Sequence, residues 1–199
     1  ETCFFRHQSS MLLLKEVVLP VALEQVHSFH VWSVGCATGE EVYSLAMLLD
    51  ACYTRQAGDR YFGVTGTDIS LPSLQHARAG LYLNRRIHDI PPAFRQQYCQ
   101  RVTNNRFQVK DNLRRRVCFS QLNMRDISSA PFADLNLVYC QNLLIYYERE
   151  RRVQIVNQLA ESLCPGGVLI LGPGELTGWK HPDMEKMRYE NTLAYRRAD

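Results

Sequence analysis

The hydrophobic pattern of the chain changes abruptly at two glycines. A mainly apolar run over residues 31–34 ends at Gly35, and a different pattern begins after Gly39. There the apolar positions recur every three or four residues, at Val42, Leu45, Ala46 and Leu49. The first pattern predicts a buried strand, and the second predicts a helix over residues 40–53. The turn between them would present backbone N–H groups to a ligand at the helix N-terminus.

A second apolar run over residues 61–64 leads into the sequence Gly66-Thr67-Asp68-Ile69. It predicts a neighbouring strand with the Asp68 carboxylate at its carboxyl end. In an open α/β sheet, an acid in this position accepts hydrogen bonds from the ribose hydroxyls of a nucleoside. The glycine turn and Asp68 together predict an enzyme that uses a nucleoside cofactor.

Strand-like and helical patterns alternate through most of the remaining chain. A helical pattern over residues 10–18 opens it, and we expect Pro20 to stop that helix. A helix containing Leu74 and Ala77 should end at Gly80, which suits the position just past a helix. Further strands are expected over residues 117–121, 135–140 and 168–172, with a helix over 150–163. This alternation predicts a doubly wound, largely parallel α/β sheet.

Residues 84–117 interrupt the alternation. They are polar and basic, and they contain short alternating runs at 106–109 and 116–119. We interpret them as a helix and a small antiparallel β insertion within one catalytic domain that spans residues 1–199.

Composition narrows the class of protein. A chain of 199 residues can bury one sizeable core, and it has no apolar run of about 18 residues, so we expect no membrane insertion. The net charge of +3 is too small to indicate nucleic-acid binding, although the basic residues are clustered.

Seven cysteines without a Cys-x-x-Cys pair argue against a disulfide framework or a metal site and favour a reducing cytoplasm. Three of them, Cys36, Cys118 and Cys140, lie in apolar runs and are expected in the core.

Two nucleoside cofactors compete for the glycine turn. A dinucleotide site requires G-x-G-x-x-G, but Ala37 stands where the second glycine should be. S-adenosylmethionine has no phosphate and suits a looser turn. The Pro165-Gly166-Gly167 turn before the last buried strand also fits an adenosylmethionine-dependent fold.

Five motifs, in order along the chain, resemble those of the CheR-type chemotaxis receptor methyltransferases. They are Phe4-Phe5-Arg6, Val31-Trp-Ser-Val-Gly-Cys-Ala-Thr-Gly-Glu-Glu-Val-Tyr-Ser44, Gly66-Thr-Asp-Ile69, Cys140-Gln-Asn-Leu-Leu-Ile-Tyr-Tyr147 and Pro165-Gly-Gly-Val-Leu-Ile-Leu-Gly172. The resemblance implies methyl transfer from S-adenosylmethionine to glutamate side chains in the cytoplasmic domain of a chemoreceptor, leaving S-adenosylhomocysteine. It also implies a small helical domain upstream, which is missing here.

The resemblance implies roles for four residues in the first half of the chain. Thr2 and Arg6 would lie against the cofactor, with Arg6 also near the transferring methyl, where it could hold the substrate carboxylate. Asp68 would bind the ribose, although a helix N-cap is the simpler alternative. Glu41 would meet the cofactor ammonium, but it also fits a capping box that reaches back to Thr38.

Further site residues follow the later strands. The resemblance places Asn123 and Met124 near the adenine, with core packing as the alternative for Met124. It places Gln141 and Asn142 against the cofactor and Tyr146 beside the methyl-transfer site. Gln141 departs from the family pattern, which has Arg there, and loses the fixed cationic fork. A second departure, Gly172-Pro-Gly-Glu175, suggests only a change in loop shape.

Two other functions are alternatives to receptor methylation. An amino-group methyltransferase would commonly carry Asn-Pro-Pro-Tyr where this chain has Asn142-Leu-Leu-Ile-Tyr146. A non-catalytic adenosylmethionine-binding module would be favoured by loss of Arg6 or Tyr146, and both are present. We expect a monomer. The short loop at 100–106 has no glycine, so we expect no use of a carboxyl-terminal tethering peptide.

Overall fold

The structure is a computed structural model that describes residues 2–53 and 60–198. Its secondary structure consists, in chain order, of α1 (Gln8–Leu13), a π-helical segment (Leu14–Val18), α2 (Leu19–Gln25), β1 (Ser28–Val34), α3 (Glu40–Tyr53), β2 (Tyr61–Asp68), α4 (Leu71–Ala79), β3 (Leu81–Leu83), a 3-10 segment (Asn84–Asp89), α5 (Pro92–Tyr98), β4 (Cys99–Thr103), β5 (Arg106–Val109), α6 (Asp111–Arg114), β6 (Val117–Gln121), a 3-10 segment (Met124–Ser129), β7 (Leu135–Cys140), a 3-10 turn (Leu144–Tyr146), α7 (Arg149–Glu161), β8 (Leu163–Leu171), β9 (Met184–Met187) and β10 (Leu193–Arg197).

The prediction that Pro20 stops the first helix is wrong. Helical backbone runs from Gln8 to Gln25, and Pro20 lies in the first turn of α2. The Leu19 N–H bonds to the Leu14 carbonyl oxygen, five residues back, and Pro20, which has no N–H, follows directly where this wider spacing ends. The π-helical segment before it changes the hydrogen-bond spacing at this point.

The main sheet has seven strands in the order β6-β2-β1-β7-β8-β10-β9. β1 pairs in parallel with β2 on one side and β7 on the other, and β10 is antiparallel to both β8 and β9. The predicted fold class is therefore confirmed. The carboxyl ends of β1, β2 and β7 meet at one edge, with Val34 opposite both Thr67 and Cys140.

Residues on successive positions of the central strands enter two different cores. Val31, Leu137 and Tyr139 pack on the side of α2 and α3. Trp32, Val138 and Leu169 pack on the side of α7. Burial on both faces explains the continuous apolar runs in the sequence.

Three strands form a separate antiparallel sheet in the order β3-β5-β4. Two details differ from the sequence analysis. Residues 100–103 belong to β4, which pairs with β5 except for a register shift between Arg101 and Thr103. The predicted loop at 100–106 is therefore a hairpin with a turn at Asn104-Asn105. The second alternating run belongs to β6, which pairs in parallel with β2 in the main sheet.

Two smaller predictions have opposite outcomes. Gly80 ends α4 in the left-handed conformation, with φ of 58°, as expected for this position. Cys118 is exposed, because β6 is an edge strand whose outer face is uncovered, whereas Cys36 and Cys140 are buried as predicted. Across the described residues, no helix is long and apolar enough to cross a membrane.

Candidate functional site

A cleft of about 300 Å³ opens at the carboxyl edge of β1, β2 and β7. Its walls combine the amino-terminal arm, the glycine turn after β1 and the segment after β7. It brings together these residues singled out in the sequence: Thr2, Arg6, Glu41, Asp68, Gln141, Asn142 and Tyr146. The topology of the sheet therefore gathers them from distant parts of the chain at one site.

The glycine turn folds back onto β2. The N–H groups of Gly35 and Cys36 both donate to the carbonyl oxygen of Thr67, at 2.8 and 2.9 Å. Gly35 has a φ of 74°, and a Cβ atom there would lie 3.1 Å from the Leu143 side chain. Glycine therefore permits both the left-handed backbone and the close approach of the segment after β7.

The Asp68 carboxylate holds the turn in place. Its Oδ2 accepts a hydrogen bond from the Ala37 N–H at 2.9 Å, and its Oδ1 accepts one from the Ser70 N–H at 2.8 Å. Ser70, not Asp68, is the N-cap of α4. Each carboxylate oxygen can accept a second bond, so Asp68 retains acceptor capacity toward the cleft.

Glu41 is held by a hydrogen bond across the floor of the cleft. Its Oε1 accepts from Ser33 Oγ at 2.7 Å. Burial raises the pKa of Glu41 to about 8, the Ser33 bond and the Arg6 charge act in the opposite direction, and the Glu175 charge raises it further. At Thr38, the hydroxyl donates instead to Glu40 Oε2 at 2.6 Å.

Gln141 presents an unpaired acceptor. Its side-chain nitrogen donates to Ser10 Oγ at 2.8 Å and to the Leu171 carbonyl oxygen at 3.5 Å. The residue is only 4% exposed, and its Oε1 has no hydrogen-bond partner among residues 2–53 and 60–198. An unpaired buried oxygen is costly unless a ligand supplies the donor.

Left-handed backbone recurs around the cleft. Phe5, Ala37 and Asn142 have φ values of 51°, 46° and 59°. Two of these residues are held by long-range contacts: the Phe5 N–H donates to Ser44 Oγ at 3.0 Å, and Asn142 Oδ1 lies 2.6 Å from His7 Nε2. Such backbone is unfavourable for residues with a Cβ and clusters at functional sites.

Glu175 organises the segment that carries Tyr146, a role that the sequence analysis missed. It is 3% exposed, and its carboxylate accepts from the Leu144 N–H at 3.0 Å and the Gly172 N–H at 2.8 Å. Tyr146, two residues beyond Leu144, is 77% exposed at the mouth of the cleft. An acid three residues after Gly172 was visible in the sequence, but its burial was not.

Asn123 and Met124 do not line the cleft. Asn123 caps the 3-10 segment that follows it, with Oδ1 accepting from the Arg125 N–H at 3.0 Å. Met124 is 6% exposed in the core that contains Trp32. Its carbonyl oxygen accepts from Arg151 Nη2 at 2.7 Å. In this structure Met124 therefore acts as a core residue.

Comparison with known proteins identifies the family. The family described as CheR methyltransferase, SAM binding domain, matches residues 1–193. The chain belongs to the CheR methyltransferase family.

Two curated CheR relatives are chemotaxis protein methyltransferases. The protein from Vibrio parahaemolyticus is 35% identical, over 89% of this chain and 66% of its own length. The "Chemotaxis protein methyltransferase 1" from Pseudomonas aeruginosa is 34% identical, over 88% of this chain and 65% of its own length. The chain thus spans a little under two thirds of the length of these relatives.

The fold is also that of a solved methyltransferase. Magnesium protoporphyrin IX methyltransferase from Synechocystis PCC 6803, determined with bound SAM, aligns with a TM-score of 0.51 and 16% identity over 96% of this chain and 81% of the other. At this identity the likeness concerns the fold alone.

The cleft suits S-adenosylmethionine, the cofactor of CheR domains. That molecule carries a cationic sulfonium and an ammonium group, and the cleft is lined by two acidic residues, Glu41 and Asp68, together with Gln141. Within the part of the chain that the structure describes, no group of three or more His, Cys, Asp or Glu could hold a metal ion.

Proposed function

We propose that this protein transfers the methyl group of S-adenosylmethionine to glutamate side chains in the cytoplasmic domain of a bacterial chemoreceptor, forming glutamyl methyl esters. The observation that carries the proposal is the cleft itself, where acceptors for a cationic cofactor line the same cavity as Arg6 and Tyr146. The names of the curated relatives support a role in chemotaxis.

The residues divide into two groups in this proposal. Asp68 binds the ribose, while Glu41 and Gln141 accept from the cofactor ammonium, with Thr2 and Asn142 completing the walls. Asn123 and Met124 remain our candidates for the adenine side. Asn123 would contribute its side-chain amide and Met124 its backbone atoms, because the Met124 side chain is in the core. Arg6 and Tyr146 hold the substrate.

The chemistry needs alignment more than proton transfer. S-adenosylmethionine, when bound, supplies an electrophilic methyl group on its sulfonium. A substrate glutamate is already ionised near neutral pH, so no general base is required. The Arg6 guanidinium can bind one carboxylate oxygen and aim the other at the methyl group, with the Tyr146 hydroxyl as a second donor.

The wider setting follows from the same proposal. We infer a cytoplasmic monomer that neither binds nucleic acid nor inserts into a membrane. Residues 1–199 would form the catalytic domain, residues 84–117 a docking insertion within it, and a helical domain would precede it.

A transfer assay tests the proposed function. The intact protein is incubated with S-adenosylmethionine carrying a tritiated methyl group and with receptor cytoplasmic domains. The expected product releases volatile methanol at alkaline pH, as methyl esters do. Base-stable labelling would instead indicate an N-methyl product, and absence of labelling on any receptor domain would contradict the proposal.

Replacing Tyr146 with phenylalanine should lower kcat about 3- to 10-fold, because one hydrogen bond to the substrate is lost. The affinity for S-adenosylhomocysteine should stay nearly unchanged. Steady-state kinetics and calorimetry measure the two quantities. Tyr147→Phe is the matched control, since it makes the same change one residue away, and it should leave kcat unaltered. Weaker cofactor binding with normal kcat would show that Tyr146 is misplaced.

We predict that the protein does not bind a carboxyl-terminal tethering peptide of the kind the family recognises. The hairpin between β4 and β5 turns tightly at Asn104-Asn105. It therefore lacks a long loop that could hold the peptide as an added strand. β4 is nevertheless an edge strand, and an edge strand can in principle pair with a peptide. The prediction can therefore fail. Titration with a tethering pentapeptide should give no saturable signal. Micromolar binding that is lost when residues 100–106 are substituted would contradict the prediction.

A further inference from the structure

An apolar groove of about 500 Å³ adjoins the candidate active site. One wall is the exposed side of α1 and the π-helical segment, and the other is the segment that leads into α5. The groove is lined mainly by apolar side chains, which include Met11, Leu12, Leu48, Ile90 and Phe94. Nothing in the proposed methyl-transfer chemistry uses it.

The groove and the active-site cleft share a wall. Phe5 and Met11 line both cavities. The Phe5 ring packs against Phe94 in the groove, with ring centroids 5.6 Å apart. Arg6, the next residue, lines the cleft. A ligand that extends beyond Arg6 would therefore pass over Phe5 into the groove.

The groove is open and its rim is mainly basic. Leu12 is 43% exposed and belongs to a contiguous apolar lining, which is the kind of exposed apolar surface that marks a binding groove. Lys15 and Arg95 contribute positive charge to the lining, against a single carboxylate, Asp89. The Arg95 guanidinium donates to the carbonyl oxygens of Ile90 and His88, which fixes its charge at this wall.

We propose that this groove holds the part of the receptor substrate that flanks the accepting glutamate, and that it selects a bulky apolar side chain next to that glutamate in an acidic segment. The inference rests on the proposed function. Continuity with the cleft at Phe5 places the segment, the apolar lining binds its side chain, and Lys15 and Arg95 complement its negative charge.

The test compares KM values in the intact protein. Leu12→Gln should raise KM for the receptor domain about 5- to 20-fold by placing an amide where an apolar side chain is expected to bind. Lys15→Glu should raise it by a smaller factor that shrinks at high salt. KM for S-adenosylmethionine and kcat at saturating receptor should remain unchanged in both variants.

Matched controls lie outside the groove. Val21→Gln changes a helical residue of similar exposure, 37% against 43% for Leu12, and Lys186→Glu reverses an exposed lysine on β9. Both should keep the wild-type KM. A receptor variant with alanine at the apolar position beside the accepting glutamate should show a raised KM with wild-type protein and little further effect of Leu12→Gln.

Each other outcome overturns the proposal. An unchanged receptor KM in Leu12→Gln, while the wild type methylates normally, would reject the groove and leave the proposed function intact. A wild-type dimer that Leu12→Gln dissociates would mean that a second copy occupies the groove. A lowered unfolding temperature without a KM effect would mean that the protein's own chain fills it. No methylation by the wild type would reject the proposed function, and this inference with it.

Discussion

Replacing Asp68 with alanine is expected to weaken binding of S-adenosylhomocysteine about 10- to 150-fold, or about 1.5–3 kcal/mol. The variant loses the proposed ribose acceptor. It also leaves the N–H groups of Ala37 and Ser70 without their carboxylate partner. The glycine turn is then free to move away from β2, so the loss has a direct and an indirect part. Isothermal calorimetry measures the change.

Two further variants separate these effects. Asp68→Asn keeps one side-chain oxygen and should fall between the wild type and Asp68→Ala in affinity. Asp183→Ala removes an exposed carboxylate on another part of the surface and should bind with wild-type affinity. Thermal unfolding shows whether each variant is folded. Unchanged affinity in a folded Asp68→Ala protein would exclude Asp68 from the cofactor site.

Cofactor affinity should depend steeply on pH through Glu41. Its pKa is raised to about 8 by burial, so its carboxyl group is mostly protonated in the free protein at neutral pH. Pairing with the cofactor ammonium requires the ionised form. Each pH unit below 8 should therefore weaken binding up to about tenfold, and binding should release a proton. Affinity at pH 6 should be roughly 50-fold lower than at pH 8; the comparison stops there because an α-amino group itself begins to lose its proton near that pH.

Glu41→Gln provides the control. The amide keeps an oxygen for the Ser33 hydroxyl but cannot ionise. The variant should bind more weakly than the wild type at pH 8, and its affinity should vary little between pH 6 and 8. Calorimetry in two buffers with different ionisation enthalpies counts the released protons. A wild-type affinity that is flat over this range would contradict the assignment of Glu41 to the ammonium.

The same group makes the free protein less stable as pH rises. In the unfolded chain Glu41 ionises near its ordinary pKa of 4.5, whereas the folded protein keeps the proton up to about pH 8. Between these values the folded state binds more protons, so the free energy of unfolding contributed by Glu41 falls as pH increases. Below pH 4.5 both states are protonated and this dependence disappears.

The local hydrophobic pattern determined the main elements of the fold. The apolar run at 31–34, the helical spacing after Gly39 and the glycine at position 80 each reflect a requirement of a few neighbouring residues. The burial of a strand, the amphipathicity of a helix and the left-handed backbone at a helix end each depend on the types of a few neighbouring residues. Such features can therefore be predicted from the sequence alone. For the same reason Asp68 could be placed at the end of its strand.

Predictions from the local sequence pattern were wrong or undecided for residues whose environment depends on distant parts of the chain. Pro20 looked like a helix stop because the π-helical segment that accommodates it has no clear sequence signature. Cys118 looked buried because its apolar neighbours could not show that β6 would be the edge strand. Met124 could be core or cofactor wall, and only the packing of the second core decided the matter.

By itself, the sequence determined the order of strands and helices, the glycine turn, the acid after β2 and, through its motifs, the family. Only the tertiary structure decided how the cleft is built, because its bonds join residues far apart in the chain. His7 meets Asn142 across 135 positions, and Gln141 meets Ser10 across 131. The burial that raises the Glu41 pKa, the buried carboxylate of Glu175 and the groove beyond Phe5 likewise exist only after the sheet brings its carboxyl ends together.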